Sequence, residues 1–174
     1  MKHVPAVVEP DFARAEKLVA QLIALPGGSG REGRVADFIT KKLLAAGAPA
    51  ASIRRDKAHQ LSLHGGQTGN LICKLPGSIR GPRRLLMAHM DTVPLAVGAT
   101  PVRRGDELAP ADANTALGAD DRAGTAAVLA AALEVLRRGL PHPPLTFLWT
   151  VQEEIGLFGA RHVAANLLGN PRLA

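Results

Sequence analysis

Two short apolar runs, at residues 85–88 and 145–151, enclose an alanine-rich stretch at residues 122–138, and this arrangement constrains the fold more than any other feature of the sequence. Both runs are rich in strand formers and have the length of strands that are covered on both faces. The enclosed stretch carries its larger apolar residues on one side, as a helix packed on a sheet does. Strand, helix and strand in this order predict a right-handed parallel crossover, and therefore an α/β fold with a mainly parallel sheet flanked by helices.

Helices and short strands are predicted on the amino-terminal side of this unit. Apolar residues recur every three or four positions over residues 11–25, which predicts a first helix. Ser29 and Glu32 have the spacing of a capping box, and helical periodicity continues from there to Gly47, which predicts a second helix. After Gly47 the apolar residues partly alternate with polar ones, and this pattern predicts short strands at residues 52–55, 60–64 and 70–75.

The positions of glycine and proline predict two further segments. Residues 94–118 are rich in both, which predicts a long loop over the edge of the sheet with room for a small hairpin. Gly156 and Gly159 introduce a last helix, which is expected to continue to about Leu168 before glycine and proline end it.

The composition predicts one globular domain, with neither a membrane span nor a nucleic-acid site. The chain has 174 residues, of which 47% are hydrophobic, and no apolar run approaches the ~18 residues that a membrane helix requires. The start at Met1 lacks the pattern of a secretory signal, so a cytoplasmic location is expected. The net charge of +6 comes from scattered basic pairs without interleaved aromatic residues, so stacking on nucleic-acid bases is not expected.

Cys73 is the only cysteine, so an internal disulfide and a cysteine-based metal cluster are excluded. It lies within an apolar stretch, which favours a small buried thiol over a nucleophile. A metal site in this chain is therefore expected to rely on other side chains, such as histidine and carboxylates.

Polar residues follow each apolar run, and the first group is His89 and Asp91. They come directly after the run at residues 85–88, at the carboxyl end of the predicted strand, where ligands bind in open α/β sheets. Two residues apart in an extended backbone, they point to the same side, and a carboxylate is a common partner of the second ring nitrogen of a metal-bound imidazole. Taken alone, the pair is also compatible with a surface histidine beside a chance acid.

Two pairs of adjacent acids form the other groups. Asp120 and Asp121 stand at the amino end of the alanine-rich helix, where acids without any catalytic role would cap free amides and complement the helix dipole. Glu153 and Glu154 follow the run at residues 145–151, where one carboxylate can bind a metal while its neighbour moves protons. A solvated loop end is the alternative for the two glutamates.

Together, and in this order, the three groups resemble those of the M20 metallopeptidases. The resemblance extends from Gly69 to about Ala165 and rests on HMDTVP at residues 89–94, LGADDRAG at residues 117–124 and EEIGLFGA at residues 153–160. These runs are most similar to the tripeptidase T branch. The two opening helices fit the same pattern, so the resemblance covers nearly all of the chain. It implies a zinc-peptidase-like catalytic domain of the α/β class.

The resemblance implies a role for each matching residue. His89 matches a ligand of one zinc ion, Glu154 a ligand of the other, and Asp120 the carboxylate that bridges both. Glu153 matches the general base, and Asp91 the acid that orients His89. The resemblance implies two Zn²⁺ ions per intact site, and such sites also accept Co²⁺ or Mn²⁺.

The family pattern requires more ligands than these. Asp121 matches none of them and is expected at the turn that starts the helix. In M20 enzymes a further carboxylate ligand lies just past the position of Ala174 and a last histidine near the carboxyl terminus, with a lid or dimerisation domain between them. His142 and His162 are not substitutes by position. Residues 1–174 are therefore expected to form a partial catalytic α/β domain, without the lid or dimerisation domain and the remainder of the catalytic domain.

These assignments predict a dinuclear zinc-dependent amide hydrolase, an aminopeptidase acting on short peptides, with this chain inactive by itself. A homodimer is compatible with the intact protein. Two alternatives stay open. One is a relative that removes acyl groups from amino acids with the same residues, and the other is a truncated, non-catalytic product that binds a partner through an exposed sheet edge.

Overall fold

The predicted strand–helix–strand unit forms the centre of the fold. The computed structural model of the protein describes residues 8–171. Its strands are β1 (Ile53–Arg55), β2 (Leu71–Leu75), β3 (Arg84–His89), β4 (Pro101–Arg104), β5 (Glu107–Pro110) and β6 (Leu145–Thr150). Its helices are α1 (Phe12–Ile23), α2 (Gly33–Ala45), α3 (Ala119–Arg138) and α4 (Phe158–Arg161). In this part of the chain, no helix combines the length and the apolar character needed to cross a membrane.

The strands form two sheets. Strands β4 and β5 pair as an antiparallel hairpin within the predicted loop, and the larger sheet has the order β1-β2-β6-β3. Strands β3 and β6 are parallel, with His89 opposite Thr150 at their carboxyl ends, and α3 connects them. The predicted α/β class, with helices packed on a sheet, is confirmed.

The prediction of a mainly parallel sheet was wrong for the strands described. Within residues 8–171, only the β3–β6 pair of this sheet is parallel, whereas the β1–β2 and β2–β6 pairs are antiparallel. The long crossover through α3 allows β3 and β6 to run in the same direction, but no crossover helix leads from β1 into β2. Because β2 is buried almost throughout, its apolar composition resembles that of a parallel strand and does not reveal its direction.

Apolar residues of three helices and of the sheet form one core. Leu22 of α1, Ile39 of α2 and Leu129 of α3 are fully buried in the same cluster as Phe147 and Trp149 of β6. Burial of a large apolar side chain contributes about 1.5–3 kcal/mol. The periodic apolar positions that predict the helices are therefore also the positions that fix the helices on the sheet.

The segment that follows β6 is bonded to the opposite face of the sheet. Thr146, which alternates with the core-facing residues of β6, donates its Oγ1 hydrogen to the Leu168 carbonyl at 2.8 Å. The predicted continuous helix was wrong, because only α4 and a single 3₁₀ turn at Ala165–Leu167 form here. The Ala164 N–H donates to Asp56 Oδ2 at 3.2 Å, and this tertiary bond takes the place of a helical one.

Residues 60–64 do not form the predicted strand. A 3₁₀ helix occupies Ala58–Leu61, and Leu61 and Leu63 are 63% and 94% exposed. Strand preference depends on packing against neighbours, and these alternating leucines have no sheet to cover them.

Candidate metal centre

The three groups of polar residues meet at one edge of the larger sheet. His89 is the last residue of β3, and Glu153 and Glu154 follow the end of β6. Because β3 and β6 are parallel neighbours, their carboxyl ends lie side by side. Asp120, at the start of α3, reaches the same edge and lies within 3.2 Å of His89.

His89, Asp120 and Glu154 form a cluster of candidate metal ligands. One ligand atom from each lies within 4.8 Å of the others, and His89 Nε2 is 3.2 Å from Asp120 Oδ1. His89 is buried, whereas the Asp120 side chain is open to solvent. An imidazole nitrogen with two carboxylate oxygens suits Zn²⁺ and is compatible with Co²⁺ or Mn²⁺. The residues present thus fit a divalent metal ion, and their role as ligands stays a prediction.

Glu153 lies beside this cluster. Its Oε2 is 3.7 Å from His89 Nε2, and its side chain is partly exposed. Burial raises the pKa of the adjacent Glu154, and the charges of nearby carboxylates raise it further, while His89 opposes the rise. A cation bound among these carboxylates would relieve their mutual repulsion.

Asp91 holds the other ring nitrogen of His89. The Nδ1 atom lies 3.4 Å from Asp91 Oδ1 and 3.2 Å from the Asp91 carbonyl oxygen, which leaves Nε2 facing Asp120. Burial alone would lower the pKa of His89. The hydrogen bond to Asp91 and the charges of Asp91, Asp121 and Glu153 outweigh burial and raise the pKa of His89 to about 9. A carboxylate in this place orients a metal-binding imidazole and increases its basicity.

Asp91 also orders the segments around it. Its side chain is fully buried, its Oδ2 accepts from Ser29 Oγ at 2.6 Å and from the Glu154 N–H at 3.2 Å, and its Oδ1 accepts from the Glu153 N–H at 3.0 Å. Burial would raise the pKa of Asp91, but His89 and these donors hold it below its ordinary value. Asp91 therefore stays ionised and fixes the backbone of both glutamates.

Ser29 and Glu32 do not form the predicted capping box. Helix α2 begins without a side-chain cap, and Ser29 bonds to Asp91 instead. Glu32 is fully buried, and its Oε1 accepts from the Gly30 N–H at 2.7 Å and from the Gln152 N–H at 3.0 Å. Exposed amides at a helix end can bond to water, whereas the buried Gln152 N–H depends on a protein acceptor. This requirement overrides the local motif.

Asp121 joins the start of α3 to β3. The peptide bond between Asp120 and Asp121 is cis. Asp121 Oδ2 accepts from the His89 N–H at 3.1 Å, and Oδ1 accepts from the Gly124 N–H at 3.0 Å. A Cβ at position 124 would collide with the Asp121 carboxylate, so any other residue there would displace this carboxylate. Asp121 thus lies at the helix start, outside the cluster of candidate ligands.

Arg122 is buried near Asp91 and Glu32, and no motif predicts a role for it. It is 1% exposed, and its Nη2 donates to the Gly27 carbonyl at 3.1 Å. Burial lowers the pKa of Arg122 to about 10, while the charges of Asp91 and Glu32 act to raise it. Helical spacing could have placed this side chain inside, because Arg122 stands one turn before the buried Ala126.

His142, His162 and Cys73 lie outside the ligand cluster. His142 Nδ1 is 2.7 Å from the Pro143 carbonyl oxygen, and the His162 ring stacks on Phe158 at 5.8 Å. Cys73 is buried in β2, and burial raises the pKa of its thiol. Within residues 8–171, neither histidine adds a ligand to the candidate centre.

The fold, with a cluster of histidine and carboxylates at the β3–β6 edge, is that of the metallopeptidase class. A family model described as peptidase family M28 matches residues 70–173. The chain therefore belongs to peptidase family M28.

Solved peptidase structures share this fold. A tripeptidase from Staphylococcus aureus has a TM-score of 0.81 and 31% identity, over 91% of this chain and 41% of that one. The aminopeptidase PepT from Bacillus cereus has a TM-score of 0.80 and 29% identity, over 90% of this chain and 41% of that one. These neighbours confirm the resemblance to tripeptidase T-like enzymes.

A sequence relative covers a similar share of the chain. The uncharacterised protein YqjE of Bacillus subtilis is 30% identical over 148 residues, which is 85% of this chain and 38% of that protein. The chain thus spans less than half the length of YqjE and of both solved structures.

Proposed function

We propose that this chain supplies part of the active site of a dinuclear zinc-dependent amide hydrolase, an aminopeptidase that acts on short peptides. The observation that carries the proposal is the convergence of ligand atoms from His89, Asp120 and Glu154 within 4.8 Å of one another. Glu153 lies beside them. The similarity to a tripeptidase and to an aminopeptidase supports the choice of substrate.

The three clustered residues would hold the metal ions. His89 would bind one ion and Glu154 the other, while Asp120, which is the most exposed of the three, would bridge them. Bound zinc ions would polarise the scissile carbonyl and lower the pKa of a bound water to about 7. Asp91 keeps His89 Nε2 turned toward Asp120 and holds the backbone of Glu154.

Glu153 would move the proton. Its carboxylate lies next to the cluster but is not assigned as a ligand, so it is free to take a proton from the attacking water. The same carboxylate would then deliver that proton to the leaving amine nitrogen. The bond from the Glu153 N–H to Asp91 Oδ1, at 3.0 Å, holds the backbone from which this side chain extends.

We also propose that residues 1–174 are inactive by themselves. Three ligands shared between two metal ions, with Asp120 counted twice, leave each ion with two protein ligands, whereas catalytic zinc sites normally have three. The chain spans 41% of the S. aureus tripeptidase, so further ligands and a lid or dimerisation domain are assigned to additional sequence of the whole protein. Co²⁺ or Mn²⁺ could replace zinc, and a cytoplasmic location is part of the same proposal.

The test compares the 174-residue chain with a version extended by its natural downstream sequence. The extended protein should release the amino-terminal residue from trialanine, a chelator should abolish this activity, and zinc or cobalt should restore it. The 174-residue chain should not cleave trialanine. Hydrolysis of N-acetylalanine alone would favour the deacylase alternative, and an extended protein that binds zinc but cleaves neither substrate would contradict the proposal.

A further inference from the structure

Two buried carboxylates, Glu32 and Asp91, bind the same two segments of the chain. The first segment is residues 29–30, and the second is residues 152–154. Asp91 accepts from the Ser29 hydroxyl and from two N–H groups of the second segment, and Glu32 accepts from one N–H group of each segment. On each segment, the two acids thus accept hydrogen bonds from residues that follow one another in the sequence. Of the two acids, Asp91 is the one that contacts His89.

The backbone at Gln152 requires such support. Gln152 has a φ of 53°, in the left-handed region, which is unfavourable for a residue with a side chain. Its side chain is fully buried, and its Nε2 donates to the Gly65 carbonyl at 2.6 Å. Strained residues of this kind persist where the surrounding structure holds them in place. The Glu32 Oε1 acceptor, 3.0 Å from the Gln152 N–H, is part of what holds this turn.

Glu32 is buried at an electrostatic cost that its local position does not explain. It stands at the N-cap position of α2, but its side chain makes no capping hydrogen bond there, and it does not belong to the cluster of candidate ligands. Burial raises the pKa of Glu32, although the N–H groups of Gly30 and Gln152 act to lower it. Its Oε2 has no hydrogen-bond partner among the described residues, and neither do Nε and Nη1 of Arg122. Two hydrogen bonds at Oε1 and the nearby positive charge of Arg122 stabilise the buried Glu32 carboxylate.

We propose that Glu32 is a positioning residue, which sets the backbone turn at Gln152 and thereby directs Glu153 and Glu154 toward His89 and Asp120. It acts through the Gln152 N–H and, by way of Gly30, on the segment that carries Ser29 to Asp91. Its effect on metal binding rests on the proposed function. Its effect on the turn does not.

Amide resonances of the ¹⁵N-labelled, metal-free 174-residue chain test the turn directly. In Glu32→Ala, the amide protons of Gly30 and Gln152 should move upfield together and exchange faster, although 122 positions separate these residues in the sequence. The control Glu134→Ala removes an acid that binds Arg138 on α3, and it should leave both resonances in place. Circular dichroism should show that both variants are folded.

The conservative variant separates positioning from a general effect on stability. Glu32→Gln keeps a carbonyl oxygen that can accept both N–H groups, so both resonances should move by a smaller amount in the same direction. In the unsubstituted chain, Co²⁺ binding is followed by visible absorption. Glu32→Ala should weaken this binding by about 10-fold, as loss of a supporting residue around a metal site does, while Glu32→Gln should stay within about 3-fold.

The amide resonances and the cobalt titration fail in different ways. If the unsubstituted chain, with two protein ligands for each ion, binds cobalt too weakly to be titrated, the amide resonances alone decide the role of Glu32. If Glu32→Ala does not fold, the resonances of Glu32→Gln decide it. The inference would be overturned if the resonances of Gly30 and Gln152 stayed in place, or if only one of the two moved. A Glu32→Gln variant whose cobalt binding is as weak as that of Glu32→Ala would also overturn it.

Discussion

The helix-covered face of the sheet and the carboxyl edge of β3 and β6 are built on different principles. On the face, Leu22, Leu129 and Phe147 are buried in an apolar cluster, and any side chain of similar size and shape would contribute a similar burial energy. At the edge, the buried groups include the carboxylates Glu32 and Asp91, each bonded to named donors. Removal of one polar partner there leaves another buried group unsatisfied. The helix-covered face thus tolerates substitution by apolar side chains of similar size and shape, whereas the edge depends on individual hydrogen-bonded atoms.

The strongest test of the edge concerns Glu153 in the extended protein. Glu153→Ala should lower turnover by roughly 10²–10⁴, since Glu153 is assigned to proton transfer, and should leave the zinc content nearly unchanged. Asp120→Ala should lose zinc and activity together. Peptide cleavage rates and elemental analysis of the purified variants measure both effects. Normal turnover by Glu153→Ala would remove Glu153 from the mechanism.

The matching test of the helix-covered face is a substitution that creates a cavity in the core. Phe147→Ala should lower the free energy of unfolding by about 3–5 kcal/mol, because Phe147 is fully buried. Urea denaturation of the 174-residue chain measures this. Leu63→Ala is the control, since Leu63 is 94% exposed, and it should change the free energy by less than about 0.5 kcal/mol. Similar losses in the two variants would show that the core is not where the helices are fixed.

The pH dependence of the metal-free chain tests the electrostatics of the edge. His89 has its pKa raised from 6.5 to about 9, so between these values the folded protein binds a proton that the unfolded chain does not. Its contribution is therefore complete below about pH 6.5 and is lost as the pH rises through 9, with a slope of at most about 1.4 kcal/mol per pH unit. Urea denaturation at several pH values should show this fall in the unsubstituted chain. His89→Gln should not show it, and the same fall in that variant would contradict the assignment.

The smallest effects compare a buried carboxylate bond with an exposed one. Ser29→Ala removes the 2.6 Å bond to Asp91 and should cost about 1.5–3 kcal/mol, as for a hydrogen bond to a buried charge. Asp37→Ala removes the exposed pair with Arg55, also at 2.6 Å, and should cost less than about 1 kcal/mol. Thermal unfolding of the two variants measures the difference. Equal losses would mean that burial does not distinguish these bonds.

The parts of the fold that could be predicted are those in which periodicity reports burial. Helix α1 differs from its prediction by a residue or two at each end, and strands β3 and β6 lie where the apolar runs predict. The direction of β2 could not be predicted, because a strand buried on both faces has the same composition whether its neighbours are parallel or antiparallel. The strand prediction for residues 60–64 is wrong for a related reason, since alternation does not show whether a partner sheet exists.

The candidate site could be predicted only where a motif lies next to a strand end. Their positions and the family resemblance predict His89, Asp120 and Glu154 as ligands, and the structure brings these residues together. The role of Ser29 and Glu32 could not be predicted, because their spacing is that of a helix cap. Their partners, Asp91 and Gln152, lie 62 and 120 positions away in the sequence. Local patterns carry no information on bonds of that kind.

The chain contains one tryptophan and no tyrosine, and Trp149 lies where its fluorescence can report on the sheet edge. Its indole N–H donates to the Thr125 carbonyl at 3.3 Å, and the Thr125 hydroxyl donates to the His89 carbonyl at 2.6 Å. The ultraviolet fluorescence of the whole chain therefore comes essentially from one indole ring, two hydrogen bonds from a candidate ligand. Structural changes at the carboxyl edge of β3 and β6 can thus be followed by the wavelength and intensity of tryptophan fluorescence, without an attached dye.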